Sequence, residues 1–108
     1  MDRLKLIELI GDRLTELDVL RGSLLPEEPS RKALDGKRKA LDNRHLKLAK
    51  QVWNDTTRKY KDAANELAEV NKELMKTISA IEKIANTLDT MARFIAAVDR
   101  IINIVLPA

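Results

Sequence analysis

Residues 60–106 read YKDAANELAEVNKELMKTISAIEKIANTLDTMARFIAAVDRIINIVL, without a glycine or a proline. Apolar side chains recur in this run with an average period of 3.5 residues, which is typical of a helix that packs on another helix along one seam. Two heptad rows form the seam: Tyr60, Leu67, Leu74, Ile81, Leu88, Ile95 and Ile102, and, three residues on, Ala63, Val70, Thr77, Ile84, Met91, Val98 and Val105. The run therefore predicts helix-on-helix packing, within the chain or between chains.

The composition of the whole chain agrees with an all-α fold. Charged residues make up 34% of the 108 residues, aromatic residues only 3%, and glycine and proline number three each. Such a chain lacks the turn formers and aromatic strand formers of an all-β protein, and it is too rich in Leu, Ile and Val to be disordered. We expect a single helical domain over residues 1–108.

Glycine and proline define the first helix and the loop after it. The stripe Ile7, Ile10, Leu14 and Leu17 predicts a helix over about residues 3–21. Gly22 is a natural stop, and two prolines keep residues 22–29 non-helical. Ser30 is the expected N-cap of the next helix.

The chain from residue 30 to 106 forms one long helix or two helices, over about 30–54 and 56–106. A row of Leu34, Leu41 and Leu48 gives its first part an apolar side. An unbroken helix would be over about 110 Å long, which is unusual. The cluster Asn54-Asp55-Thr56-Thr57 is the first candidate for a break, and Ser79 and Asn86-Thr87 are the others.

The seam predicts self-association, because one short first helix cannot cover it. We expect a helical hairpin with a long coiled-coil-like helix that assembles into an oligomeric helical bundle, a dimer or a tetramer, or that binds a helical protein partner. The predicted oligomer interface consists of Leu67, Leu74, Ile81, Ile84, Leu88, Ile95, Val98 and Ile102.

Positive charge is concentrated in the middle of the chain. Residues 31–62 carry a formal net charge of +7, whereas residues 1–30 carry −3 and residues 63–108 carry −1. If the helix is continuous, five cations form a stripe along one face that contains no acid: Lys37, Arg44, Lys47, Arg58 and Lys61. Such a stripe either contacts phosphates of DNA or RNA or is a solvated face that complements acids of the first helix. No known reading module accompanies it, so nucleic acid is the less favoured partner.

No catalytic, metal or cofactor site is predicted. The chain has no cysteine and no glycine-rich phosphate loop. Asp42 and His45 lie one turn apart, a spacing that di-metal bundles use, but His45 falls in the row of Leu41, Leu48 and Val52. A packed histidine is therefore the favoured interpretation, and Trp53 is interpreted as a core anchor.

The C-terminal segment 88–106 has a wide apolar face with a narrow polar stripe. Such a helix can lie on a membrane, although the continuous heptad favours a coiled-coil core. The sequence has no secretory signal and no span of about 20 apolar residues. We therefore expect a cytoplasmic protein, with leaderless secretion left open.

Three functions follow, in order of preference. The first is a non-enzymatic helical scaffold or adaptor protein that acts through coiled-coil self-association and protein–protein interaction. The second is nucleic-acid binding through the basic stripe. The third is a membrane-active, toxin-like helical subunit that uses the C-terminal amphipathic helix.

Overall fold

A computed structural model describes residues 1–106, and these residues form four α-helices and no strand. The helices are α1 (Arg3–Gly22), α2 (Pro29–Ala49), α3 (Arg58–Met75) and α4 (Ile84–Val105), and a 3₁₀ turn over Ile81–Lys83 precedes α4. The prediction of an all-α fold is confirmed. A coiled coil and an oligomer remain predictions.

Helix α1 begins and ends close to the predicted bounds. The Asp2 side chain accepts a hydrogen bond from the backbone N of Lys5 at 2.8 Å and so caps the helix. Gly22 is its last residue. Its buried stripe is Leu6, Ile10, Leu14, Leu17 and Leu20, and the predicted member Ile7 is only half-buried.

Helix α2 begins two residues earlier than an N-cap at Ser30 predicts. Glu28 is the N-cap and Pro29 is the first helical residue, because proline has a helical φ and lacks the N–H that this position would leave unpaired. Gly36 does not interrupt the helix. Leu34, Leu41 and Leu48 are all fully buried, as their common row predicts.

The first break in the long segment lies at residues 50–57, so α2 ends at Ala49 and not near residue 54. Asn54 Oδ1 accepts a hydrogen bond from the backbone N of Thr56 at 2.9 Å. The Thr57 hydroxyl then caps α3 by accepting from the backbone N of Tyr60. These short polar side chains hold the backbone in a turn that competes with a helix.

A second break separates α3 from α4, so the structure does not show the expected continuous helix over residues 56–106. Residues 76–80 form the turn, which contains Ser79, whereas Asn86 and Thr87 lie inside α4. Ile78 is buried in this turn, and the Thr87 hydroxyl donates to the Thr77 hydroxyl at 2.9 Å. The chain folds back here because each helix can then bury its apolar rows against the rest of the same molecule.

The four helices form an elongated bundle of 42 × 23 × 19 Å. Side-chain bonds define the directions: α1 runs antiparallel to α2 (Asp18 to Arg38), and α3 runs antiparallel to α4 (Glu66 to Arg100). Helices α2 and α4 run parallel, because Arg44 and Asp99 meet near both C-termini. The largest fully buried core residues from the four helices include Leu6, Ile10, Leu17, Leu41, Tyr60, Leu67, Met91 and Phe94.

Candidate interaction surfaces

The residues of the predicted oligomer interface divide into three groups. Leu67, Leu74 and Val98 are fully buried within the chain, and Ile95 is nearly so. Three more are half-buried on α4: Ile84, Leu88 and Ile102. Ile81 is 43% exposed in the turn before α4. Most of the seam therefore already has partners in its own chain, and only Ile81 is a prominent surface residue.

The predicted basic stripe is split by the break at residues 50–57. Lys37, Arg44 and Lys47 lie on α2, whereas Arg58 and Lys61 lie on α3. Arg44 bonds both carboxylate oxygens of Asp99, at 2.8 and 3.2 Å, and this bond raises its pKa. Lys47, Arg58 and Lys61 are exposed.

A groove between α2 and α4 brings two members of the basic stripe to one residue of the seam. It has a volume of about 470 Å³, and Lys37, Arg44 and Ile95 border it. Four small residues also line it: Ala33, Gly36, Ala40 and Ala92. Because Arg44 is already paired with Asp99, Lys32 and Lys37 are the remaining cations of the groove.

The ion pairs of the α1–α2 hairpin are structural. Asp18 accepts two hydrogen bonds from the Arg38 guanidinium, at 3.0 and 3.2 Å, and these lower the pKa of its carboxyl group. The Arg21 guanidinium donates a hydrogen bond to Asp35, and this bond raises the pKa of Arg21. The hairpin thus folds antiparallel, and the acids that pair across it are Asp18 of α1 and Asp35 of α2.

The loop over residues 50–57, here called the Val52 loop, is fixed to the start of α1 by Arg3. The backbone N of Arg3 donates to Asp55 Oδ2 at 2.8 Å, and its guanidinium donates to the carbonyls of Gln51 and Ala49 at 2.7 and 3.2 Å. The guanidinium also lies 5.2 Å from the ring centre of Trp53, a cation–π contact. Trp53 is buried, as its interpretation as a core anchor requires, but Val52 beside it is 86% exposed.

The large exposed apolar side chains lie at the two ends of the bundle and not on its sides. In the described part of the chain there are eight. At the end that carries the Val52 loop they are Leu4, Leu46, Val52 and Ile104, and at the opposite end they are Val19, Leu25, Met75 and Ile81.

The two ends differ in charge. We call the end with the Val52 loop the basic end, because its exposed cations Lys47, Lys50, Arg58, Lys59 and Lys61 face only a few acids, chiefly Asp2, Asp55 and Asp62. We call the other the acidic end, because it carries the carboxylates Glu27, Glu28 and Glu82, together with Glu16, which pairs with Arg13. Its unpaired cations within the described residues are Lys32, Lys76 and Lys83.

The acidic end contains a cleft of about 340 Å³ between the last turns of α1 and the turn before α4. Leu20 and Ile78 form its apolar floor, and both are buried. Val19 and Ile81 are exposed on its walls, and Glu16 and Glu82 stand beside them. We call this feature the Val19–Ile81 cleft. It can take an apolar side chain whose neighbours are cationic.

His45 is a packing residue between two helices. Its Nε2 lies 3.0 Å from the carbonyl oxygen of Ile7. The ring packs against Gly11, where an added Cβ would lie 3.5 Å away, an ordinary van der Waals contact. Asp42 pairs instead with Arg38, at 3.6 Å. Residues 1–106 contain no group of three or more metal-ligating side chains placed to hold an ion.

Most of the apolar face of helix α4 is buried inside the bundle, where Phe94, Val98 and Ile101 have no exposed area. Two cations of its polar stripe are paired across to α3, Arg93 with Glu73 and Arg100 with Glu66. No helix in the described residues has the length and hydropathy needed to cross a bilayer. A membrane role for α4 would require it to leave the bundle.

Sequence reasoning missed the residues that shape the two ends. Val19 lies outside the α1 stripe, whereas the sequence places Val52 in the row of Leu41 and Leu48 and the structure exposes it in the loop after α2. Arg3 is one cation among many in the sequence. Only the fold brings its guanidinium to the end of α2.

No protein-family model, no curated protein and no solved structure matches this chain.

Proposed function

We propose that this protein is a non-enzymatic helical scaffold or adaptor that acts by protein association through the two ends of its bundle. The observation that carries the proposal is the confinement of the large exposed apolar side chains to those ends. Apolar groups gathered at a surface and bordered by charge are typical of interaction sites, whereas single scattered ones are not.

The ends replace the heptad seam as the proposed surface. Leu67, Leu74 and Val98 have no exposed area with which to meet a second chain. By contrast, Val52 and Val19 can lose most of their area on association at no cost to the core. Burial of such a side chain contributes about 1.5–3 kcal/mol.

Light scattering on a size-exclusion column tests this proposal with one variant at each end. We expect the wild type to show a mass above 12.3 kDa that rises with loading concentration. Val52→Asp and Val19→Lys should each lower that mass. A matched control is Glu69→Gln, which changes an exposed charge on the side of the bundle and should leave the mass unaltered. A wild type that stays at 12.3 kDa at every concentration would contradict self-association.

Nucleic-acid binding is the second candidate, because the exposed cations of the basic end are free of strong ion pairs. Lys47, Lys50, Lys59 and Lys61 form no ion pair with another residue of 1–106, and the pair Arg58–Asp62 is long, at 4.0 Å. If this candidate is right, affinity for duplex DNA or single-stranded RNA falls steeply with salt, and Lys47→Glu with Arg58→Glu abolishes it. Binding retained in that variant would exclude the basic end.

A further inference from the structure

We propose that the partner of the basic end is the acidic end of a second copy: the Val52 loop of one molecule docks in the Val19–Ile81 cleft of the next. The inference rests on the proposed function and deepens it, because it names the partner and the polarity of the association. Two different surfaces of the same chain are involved, so the contact is heterologous, or head to tail.

The shapes of the two surfaces support this pairing. Val52 is 86% exposed and lies on a loop that Arg3 ties to α1 through two hydrogen bonds and a cation–π contact with Trp53, while a third bond from Arg3 holds the end of α2. A rigid loop loses little conformational entropy when it binds. The cleft of about 340 Å³ has an apolar floor and no large side chain within it, so it has room for Val52.

Charge supports the same orientation. Lys47 and Lys50 precede Val52 in the chain, while Glu82 and the Arg13-paired Glu16 stand beside the cleft, whose lining contains no Lys or Arg. Two basic ends that met each other would bring like charges together. Head-to-tail contact is the arrangement in which both the apolar and the charged groups find complementary partners.

The size of the ends sets the strength of the contact. The bundle is only 23 × 19 Å across, so each end presents roughly 400 Å² and a full contact buries less than about 1,000 Å² in total. Stable complexes bury about 1,200–2,000 Å². We therefore expect a dissociation constant above about 1 µM and weakening by added salt.

A mixing experiment tests the polarity. Val52→Asp destroys the loop surface and leaves the cleft, whereas Val19→Lys destroys the cleft and leaves the loop. Each side chain is largely exposed, so neither variant loses core packing, which circular dichroism checks. By sedimentation velocity, each variant alone should associate at least about tenfold more weakly than the wild type.

The equimolar mixture gives the decisive result. The intact loop of Val19→Lys should dock in the intact cleft of Val52→Asp, which yields a dimer and no larger species because both outer surfaces are disabled. As matched controls, Leu4→Asp and Leu25→Asp change exposed apolar residues at the same ends outside the loop and cleft, and should weaken association less than about threefold.

The outcomes separate the inference from the proposed function. A wild type that associates, together with a mixture that stays monomeric, would overturn head-to-tail docking and leave self-association intact. A monomeric wild type at about 1 mM would overturn both. A monomer that binds anionic vesicles or nucleic acid unless Val52 is replaced would assign the loop to that partner and overturn the inference as well.

Discussion

Arg13 is a cation that the fold buries at the junction of α1 and α3. Its Nη1 donates to Asn71 Oδ1 at 2.8 Å and its Nη2 donates to Glu16 Oε1 at 2.6 Å, whereas its Nε has no partner. A buried polar pair is weak evidence for stability, because desolvation offsets much of the gain from the hydrogen bond. Arg13 and Asn71 therefore specify how the two helices meet more than they stabilise the bundle.

A double-mutant cycle on this pair gives the first prediction. Asn71→Leu alone should lower the free energy of unfolding by about 1–3 kcal/mol, because it leaves Nη1 of the buried Arg13 guanidinium without an acceptor. Arg13→Met with Asn71→Leu should recover most of that loss. Urea denaturation measures each variant. Strictly additive effects would show that the two side chains do not depend on each other.

Tyr60 supplies a prediction about pH. Its ring is fully buried beside Trp53, its hydroxyl has no partner, and burial raises its pKa to about 12. In the unfolded chain the phenol ionises near its ordinary value of about 10, so the folded chain holds the proton more tightly between these values. Stability should therefore fall as the pH rises from about 10 to about 12, by up to about 1.4 kcal/mol per unit.

Tyr60→Phe is the control for that titration. It removes the ionisable group and an unpaired buried hydroxyl, so it should keep the stability at neutral pH and lose this part of the pH dependence. Lysine side chains titrate in the same range, and the difference between the two proteins isolates the phenol. Equal slopes in urea unfolding experiments would show that Tyr60 is not responsible.

At the level of elements, the sequence predicts which residues are helical better than it predicts how many helices they form. Gly22, Pro26 and Pro29 are backbone constraints, and for this reason α1 and its loop are predictable. The turn at residues 76–80 has no glycine or proline, and its buried Ile78 belongs to neither heptad row. A heptad repeat describes a seam equally well when the two helices come from one chain that folds back.

Leu74 and Ile81 test this difference, because they are successive members of one heptad row. In a continuous coiled coil, replacing either residue with alanine would lower the free energy of unfolding by about the same amount. In the bundle Leu74 is 0% exposed and Ile81 is 43% exposed. Leu74→Ala should therefore lower the unfolding free energy by about 2–5 kcal/mol and Ile81→Ala by less than about 1 kcal/mol.

The cap of α3 gives a prediction at the same scale. Thr57→Ala removes the acceptor for the Tyr60 N–H and should cost about 1 kcal/mol, whereas Thr57→Asp should retain the stability. Thr56→Ala is a neighbouring comparison, because it removes the hydroxyl that donates to Asn54 Oδ1 and leaves the acceptor that caps the helix. Chemical denaturation compares the three variants. An unaffected Thr57→Ala protein would mean that α3 does not begin at this turn in solution.

At the scale of the whole molecule, the uneven distribution of charge along the sequence gives the two ends of the bundle different charges. The composition shows that segment 31–62 is basic, but the predicted stripe of cations requires a continuous helix through that segment. The break at residues 50–57 leaves Lys37 and Arg44 beside α4 and gathers Lys47, Arg58 and Lys61 at the basic end. No periodic pattern could show this, because the end of a bundle is built from residues distant in sequence.

Small-angle X-ray scattering over a concentration series, at low and at high salt, tests end-to-end association most directly. The account predicts that at low salt the maximum dimension grows by about 42 Å per added molecule while the cross-section stays at that of one bundle. It also predicts that salt reverses the growth. A cross-section that widens with concentration, or a particle that keeps the dimensions of a single bundle throughout, would contradict it.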